Sequence, residues 1–499
     1  MAATDTKVFR NFIGGEWVDA ASGETFESTS PATGELIGTF PKSGTEDVDR
    51  AVAAARAAYE EWRLVPAPAR GEILYRFGAL VREHKEELAL LMSREMGKVL
   101  PEAGGDVQEA IDMSFYMAGE GRRLFGQTTP SELPDKFNMS ARMPIGVIGV
   151  ITPWNFPIAI PSWKIAPALV CGNTVVFKPA TDTPALGERF VELLVEAGVP
   201  AGVVNVVHGG GGAVGERLVQ HPDVPVITLT GSRETGIAVL KSAADNLKHV
   251  HLELGGKNAI IVLDDADLDL AADGIIWSAF GTSGQRCTAA SRVIVHEKVY
   301  GELQSKLVAA AEKLRLGPGW EPDTDVGPVI NHAALEKIHS YTGVGRGEGA
   351  TLLTGGEVAG GNGLDQGFFY RPTIFADVEA DMRIAQEEIF GPTTALIPVK
   401  DADEAIRVAN GVRFGLSSSI FTRDVNTAFR AMRDLVTGIT YINAGTIGAE
   451  VHLPFGGMKE TGNGHREAGQ AALDVFTEWK SIYVDYSGKL QKAQIDVAE

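Results

Sequence analysis

Cysteine is almost missing from this 499-residue chain: there are two, Cys171 and Cys287, too few for a disulfide framework. Neither they nor the ten histidines fall at zinc-binding spacing. Basic residues are also short, with 45 Lys and Arg against 65 Asp and Glu and a net charge of −20. With no compensating basic run, this charge argues against nucleic acid and anionic membrane surfaces as partners. Unbroken apolar runs are missing as well. The most apolar stretch, 143–172, is interrupted by Pro144, Pro153, Pro157, Pro161 and Pro167 and contains Asn155 and Lys164, which argues against a spanning helix. The opening Met1-Ala-Ala-Thr-Asp-Thr-Lys7 has no signal-peptide core. Together these absences predict a cytoplasmic protein in a reducing compartment.

What is present is an ordinary globular composition, 44% hydrophobic and 22% charged. At this length more than one core is expected. Apolar β-rich runs at 146–152, 174–177, 203–207, 226–230 and 259–263 alternate with helical patterns at 184–197, 212–220 and 235–246. Continuous Val/Ile runs separated by helices predict a parallel sheet covered on both faces. A long helical stretch, 47–87 and beyond, precedes them. A second series follows Cys287: strands at 292–295, 390–399, 418–421 and 439–442, and helices at 300–314 and 402–410. It predicts a second α/β domain. The Gly/Asn-rich stretch 355–367 reads as a surface loop.

Cys287 ends Gly281-Thr-Ser-Gly-Gln-Arg-Cys287, a glycine-rich turn. A lone cysteine is more often a small packed residue than a nucleophile. Here the turn suggests presentation to a ligand, and the adjacent Arg286 favours thiolate. Cys171, at the end of an apolar helical run, reads as packing. In His251-Leu-Glu253-Leu-Gly-Gly256 a carboxylate ends an apolar run. Such a glutamate is commonly a solvated or capping group, but beside a nucleophile it is a candidate general base.

Three further sites sit where strands end. Gly210-Gly-Gly-Ala-Val-Gly215 satisfies G-x-G-x-x-G, so Gly211 and Gly215 either cradle phosphate or simply form a glycine turn. The acidic residue expected about twenty positions on is replaced by Thr230 and Gly231. Gly231-Ser232 again joins a strand to a helix. Lys178, in Phe177-Lys-Pro179-Ala180, is either a ribose or phosphate ligand or a surface charge.

Taken in order, Thr152-Pro-Trp-Asn-Phe-Pro157, Phe177-Lys-Pro-Ala180, Gly231-Ser232, Leu252-Glu-Leu-Gly-Gly256, Gly284-Gln-Arg-Cys287, Glu388-Ile-Phe-Gly-Pro392 and Pro454-Phe-Gly-Gly457 resemble the aldehyde dehydrogenase superfamily over nearly the whole chain. The resemblance implies a nucleotide-binding α/β domain (1–125 and 145–255), an α/β catalytic domain (256–455), and a small β oligomerisation arm with a C-terminal tail (126–144 and 475–499). It implies Cys287 as nucleophile, Glu253 as base, and Asn155 as oxyanion donor assisted by the Cys287 amide. It places Trp154, Lys178, Pro179, Ala180, Thr181, Gly211, Gly215, Gly231, Ser232, Leu254, Glu388 and Phe390 at NAD(P). The substrate pocket would be lined by Phe156, Trp163, Arg286, Thr288 and the loop 445–452, and by Phe280 if it points inward. No metal is required.

The implied reaction is oxidation of an aldehyde to a carboxylic acid, through a thiohemiacetal and a thioester that Glu253-activated water hydrolyses. Family members that pass the acyl group to coenzyme A commonly lack this glutamate, so hydrolysis is favoured. A non-catalytic protein on the same fold is disfavoured because Cys287, Glu253 and Asn155 are all present. Thr181 stands where NAD-preferring relatives often carry glutamate, which predicts use of both NAD and NADP. Ala449-Glu-Val-His-Leu-Pro454 is similar to bacterial α-ketoglutaric semialdehyde dehydrogenases. The alternatives are therefore a broad aldehyde preference and a semialdehyde preference, the latter with Arg286 as the candidate cation. A homodimer or homotetramer is expected.

Overall fold

A computed structural model describes residues 7–495. The last four residues of the expected tail, 496–499, lie outside the described residues.

The first sheet has seven strands in the order His249–Glu253, Val226–Thr230, Val147–Ile151, Thr174–Lys178, Val204–Val206, Asn11–Ile13, Glu16–Val18. The first five are mutually parallel, and the last two join antiparallel. Chain order therefore reverses direction at Val147–Ile151, which has the next strand in sequence on one side and Val226–Thr230 on the other. Such a switch opens a crevice beyond the carboxyl ends of the strands. The residues emerging there are Thr152 to Asn155, Lys178, Gly231 and Glu253. The Val/Ile content follows from burial of both faces: Val147, Ile148, Val175, Val176, Val226 and Ile227 are all under 4% exposed.

The second sheet runs Thr351–Thr354, Thr373–Ala376, Thr393–Val399, Ala290–His296, Asn258–Val262, Ser417–Phe421, Ile439–Ile442. All its pairings are parallel except the edge pair Thr351–Thr354 with Thr373–Ala376. A third, antiparallel sheet joins Thr477–Asp485 to Lys136–Pro144 and Thr128–Pro130.

Most expected elements appear with ends shifted by a few residues. The long amino-terminal helical stretch does not persist as one unit. It divides into Thr45–Trp62, Ala67–Glu83 and Lys85–Met96. Pro66 and Pro68 impose the first break, since proline favours a helix start over an interior. The strand expected at 390–399 begins only at Thr393, because Phe390 has φ +61° and Pro392 precedes it. The proline-broken stretch 143–172 resolves into a strand end, the strand Val147–Ile151 and the helix Ala159–Cys171. Among the described residues no helix is long and apolar enough to cross a membrane. Every residue of Ala159–Cys171 is buried, Lys164 included, and Cys171 packs in the surrounding core.

Phe177 is fully buried in the core of the first sheet, with Phe190 at 6.4 Å between ring centroids. Phe177→Ala is expected to cost about 3–5 kcal/mol. A lowered urea midpoint for the transition reporting the first sheet checks this.

Candidate functional site

The turn carrying Cys287 follows the helix Leu268–Phe280. Thr282 and Ser283 adopt left-handed conformations (φ 52° and 54°) that L-residues normally avoid. The surroundings hold them there. The Thr282 amide and hydroxyl both donate to Glu102 Oε2 (2.7 and 2.8 Å), and Ser283 Oγ donates to the Gly327 carbonyl (2.7 Å). Gly284 (φ 67°) must be glycine, because a Cβ would enter the Gly391 backbone. Beyond the turn, Asn258 Nδ2 donates to the Cys287 carbonyl at 2.7 Å. The thiol is thus presented on a pinned loop.

Cys287 lies where two cavities meet. The first, about 710 Å³, is lined by Pro153, Trp154, Asn155, Gly231, Ser232, Leu254, Gly255, Lys337, Glu388 and Phe390. The second, about 610 Å³, has Glu109, Phe156, Trp163, Arg286, Thr288, Gly448, Ala449, Phe455 and Glu467 in its walls. Ile160, Thr230, Leu254 and Cys287 belong to both, while Glu253 faces the second.

In the first cavity Ser232 caps the helix Arg233–Ala243, its Oγ accepting from the Thr235 amide at 3.2 Å. The Gly231 amide donates to the Glu253 carbonyl at 3.0 Å, tying adjacent strand ends together. Glu388 accepts from the Gly256 amide at 3.0 Å, and burial holds its carboxyl above the usual range. A Cβ at Gly255 would collide with that carboxylate. Trp154 and Phe390 meet edge-on at 5.6 Å. Asn155 Nδ2 donates to the Gln285 carbonyl at 3.1 Å, which places its amide beside the Cys287 turn.

Lys178, Pro179, Ala180, Thr181, Gly211 and Gly215 are not in the walls of this cavity. They lie beyond it, after the strands Thr174–Lys178 and Val204–Val206. Burial pulls the Lys178 ammonium down to about 8, and Nζ donates to the Pro179 carbonyl at 2.8 Å. A Cβ at Gly215 would touch the Lys178 side chain, so the two share one surface. Thr181 is exposed. The G-x-G-x-x-G segment forms a wide turn, Gly211–Gly215, before the short helix Glu216–Gln220, rather than opening a full helix.

Two expectations for the substrate side are corrected. Phe280 does not form a pocket wall; it is 1% exposed in the core of the second sheet with Ile260 and Val293. Arg286 does not favour the thiolate. Its Nε donates to Thr282 Oγ1 (2.9 Å), its guanidinium is 3.5 Å from Glu102, and it lies over the Phe156 and Trp277 rings at 5.5 and 5.3 Å. Burial and the neighbouring Glu253 and Glu388 carboxylates instead push the Cys287 thiol up to about 12. Phe156, Trp163 and Thr288 do line the second cavity, as does part of the loop 445–452 through Gly448 and Ala449.

Glu253 is 5% exposed, and its Oε2 has no hydrogen-bond partner. Burial first, then the Glu467 carboxylate, raises its affinity for protons well above the usual range, while Lys164 and Arg466 oppose. Lys164 is buried, pairs with Glu467, and also donates to Thr228 Oγ1 at 2.9 Å. Glu467 carried no local signal in sequence, standing 303 residues from its partner. Glu109, whose carboxyl burial lifts to about 8, was equally unmarked.

A buried carboxyl beside a thiol, at the junction of two cavities over a parallel-sheet switch point, defines a class: a nucleotide-dependent enzyme with a covalent cysteine step. The description "Aldehyde dehydrogenase family" matches residues 17–482, and the chain belongs to that family. It is similar to the α-ketoglutaric semialdehyde dehydrogenase of Bacillus subtilis (43% identity, covering 96% of this chain and 99% of the relative). It is also similar to the α-ketoglutarate semialdehyde dehydrogenase of Haloferax volcanii (44%, covering 96% and 99%). Among solved structures, betaine aldehyde dehydrogenase from Staphylococcus aureus in complex with NAD+ superposes with a TM-score of 0.94 at 36% identity, covering 96% of each chain. The chain is an NAD(P)-dependent aldehyde dehydrogenase.

Glu467→Gln removes the negative neighbour of Glu253 and leaves the Lys164 cation. A base with a raised pKa is lost as pH falls through that raised value. The variant is expected to lower the proton affinity of Glu253, and the acid limb of the pH–rate profile for aldehyde oxidation should move to lower pH. The unpaired Lys164 should also destabilise the fold by about 3–5 kcal/mol, read by thermal denaturation.

Proposed function

We propose that this chain oxidises aldehydes to carboxylic acids with Cys287 as nucleophile, Asn155 as oxyanion donor and Glu253 as the base that activates hydrolytic water. The observation that carries this reading is the place of Cys287: it borders both cavities, with Glu253 in the wall on the substrate side.

Attack by sulfur on the carbonyl carbon develops negative charge on oxygen. The Asn155 amide, which the Gln285 carbonyl holds beside the Cys287 turn, and the Cys287 backbone N–H would stabilise it; one such donor is worth about 3–4 kcal/mol. A nicotinamide cofactor held by Trp154, Ser232, Leu254, Glu388 and Phe390 would supply the hydride acceptor, and Cys287 would then carry the acyl group as a thioester. Glu253 takes a proton from water, the water oxygen adds to the acyl carbon, and the thiolate leaves. A raised proton affinity suits this task, since a base titrating nearer neutrality is stronger.

The residues fit a dinucleotide. Gly255 leaves room for the Glu388 carboxylate, a ribose-hydroxyl acceptor, and Ser232 stands at a helix start suited to phosphate. Trp154, Leu254 and Phe390 supply apolar walls, and Gly211, Gly215, Lys178, Pro179, Ala180 and Thr181 continue the surface outward. Exposed, neutral Thr181 neither repels a 2′-phosphate nor strongly holds a 2′-hydroxyl, which supports use of both NAD and NADP. The corresponding organisation is 1–125 with 145–255 for cofactor, 256–455 for catalysis, and 126–144 with 475–499 as an arm joining copies into a dimer or tetramer in the cytoplasm. The continuous pairing of Thr477–Asp485 with Lys136–Pro144 supports the arm.

A semialdehyde substrate is a second reading, supported by Arg286 in the wall of the substrate cavity. Its charge is shared with Glu102, so a distal carboxylate would compete for it.

Cys287→Ala is expected to abolish nicotinamide reduction across an aldehyde panel, as measured by absorbance. The NAD-to-NADP ratio in kcat/KM should stay below about a thousandfold, roughly 4 kcal/mol. Arg286→Met should lower kcat/KM for carboxylate-bearing semialdehydes about 10- to 100-fold more than for neutral aldehydes of equal length, the worth of one charged hydrogen bond. An equal effect on both kinds would remove the semialdehyde reading.

A further inference from the structure

His249, His251 and Glu253 alternate along the edge strand His249–Glu253. Side chains two apart on a strand share a face, so both imidazoles lie on the side of the carboxylate. His251 is 6% exposed, and neither of its ring nitrogens has a hydrogen-bond partner. The ring of His465, which is exposed, meets it edge-on at 3.9 Å between centroids. A third cavity, about 270 Å³, connects these groups, with His251, His465, Glu253, Glu467 and Arg466 in its walls. Glu253 is in its walls and Cys287 is not.

An imidazole buried without partners is costly, and an apolar residue would fill the same space without that cost. Unpartnered His251 nitrogens and an unpartnered Glu253 oxygen beside one small, mostly apolar space form a setting that a single ordered water satisfies. We propose that His251 and His465, with water in this cavity, pass the proton collected by Glu253 to solvent, which makes His251 a positioning residue for deacylation.

The inference rests on Glu253 being the base. An aldehyde and water become a carboxylate, a hydride taken up by NAD(P), and two protons; Glu253 must shed its proton in every cycle. No other oxidant or reductant enters. The groups facing His251 are the Lys164 and Arg466 cations, the Glu253 and Glu467 carboxylates, and the imidazoles of His465 and His249. His249 stands 3.2 Å from Glu478 at the surface. Burial, reinforced by His465, His249 and Lys164, pulls the His251 pKa down to about 2. His251 is therefore neutral at working pH. It carries a proton by accepting at one nitrogen as it releases from the other.

The test uses the intact enzyme, with and without NAD, and a 4-nitrophenyl ester. The nitrophenolate burst reports acylation of Cys287, and the steady rate reports deacylation. His251→Phe should keep the burst and lose about tenfold or more of the steady rate; His251→Ala, which leaves the space of the ring open, should lose as much and recover with added imidazole. His465→Ala should lose less, and wild type should ignore the imidazole. A steady rate unchanged in His251→Phe overturns the relay, as does a slow His251→Ala rate that neither imidazole nor formate restores, since that marks a purely structural role. Glu253→Gln separates the two readings. If it deacylates like wild type, the base assignment fails and the relay with it. If it is slow beside an unaffected His251→Phe, the relay alone fails.

Discussion

Lys164 is the constraint around which the site is arranged. It sits on a helix buried on every side, so its ammonium cannot reach bulk water and needs a counter-charge in place. Glu467 supplies it, and Thr228 on the neighbouring strand takes a further hydrogen bond. The pair draws a late segment of the chain onto the carboxyl ends of the first sheet. It also commits Lys164 to Glu467 and leaves Glu253 beside a carboxylate without a cation of its own. A buried acid in that position holds its proton more tightly.

The thiol obeys the same electrostatics with the opposite consequence. Glu253 and Glu388 flank Cys287, and both disfavour a second negative charge, so the resting thiol keeps its proton. Positive charge or hydrogen-bond donors arriving in the adjoining cavity are what would release it. The left-handed turn before it and the absence of side chains at Gly284 and Gly255 let the thiol and Glu388 approach without clash.

The second cavity combines an aromatic wall with charges that largely cancel. Phe156, Trp163 and Phe455 give the wall, and Trp163 and Phe455 pack edge-on at 4.9 Å. Behind Phe156, Lys98 pairs with Asp106 at 2.8 Å, and Arg286 leans on Glu102. Glu109 stands uncommitted in the same wall, with its carboxyl raised to about 8 by burial.

The sequence by itself determined what depends on neighbours along the chain: alternating strands and helices, prolines that end helices, glycine turns at strand ends, and motifs holding Cys287, Glu253, Asn155 and Glu388. These are short-range signals, and each survives folding almost where it was read. Only the tertiary structure decided which way side chains face and what meets across long separations. Arg286 turns toward Glu102 and away from activating the thiol, and Phe280 points into a core. Lys164 finds Glu467, and His251 faces a cavity with His465. Nothing local encodes those outcomes, because burial and charge pairing are properties of packed surfaces. The two residues of such a pair acquire their meaning only when the fold removes both from water.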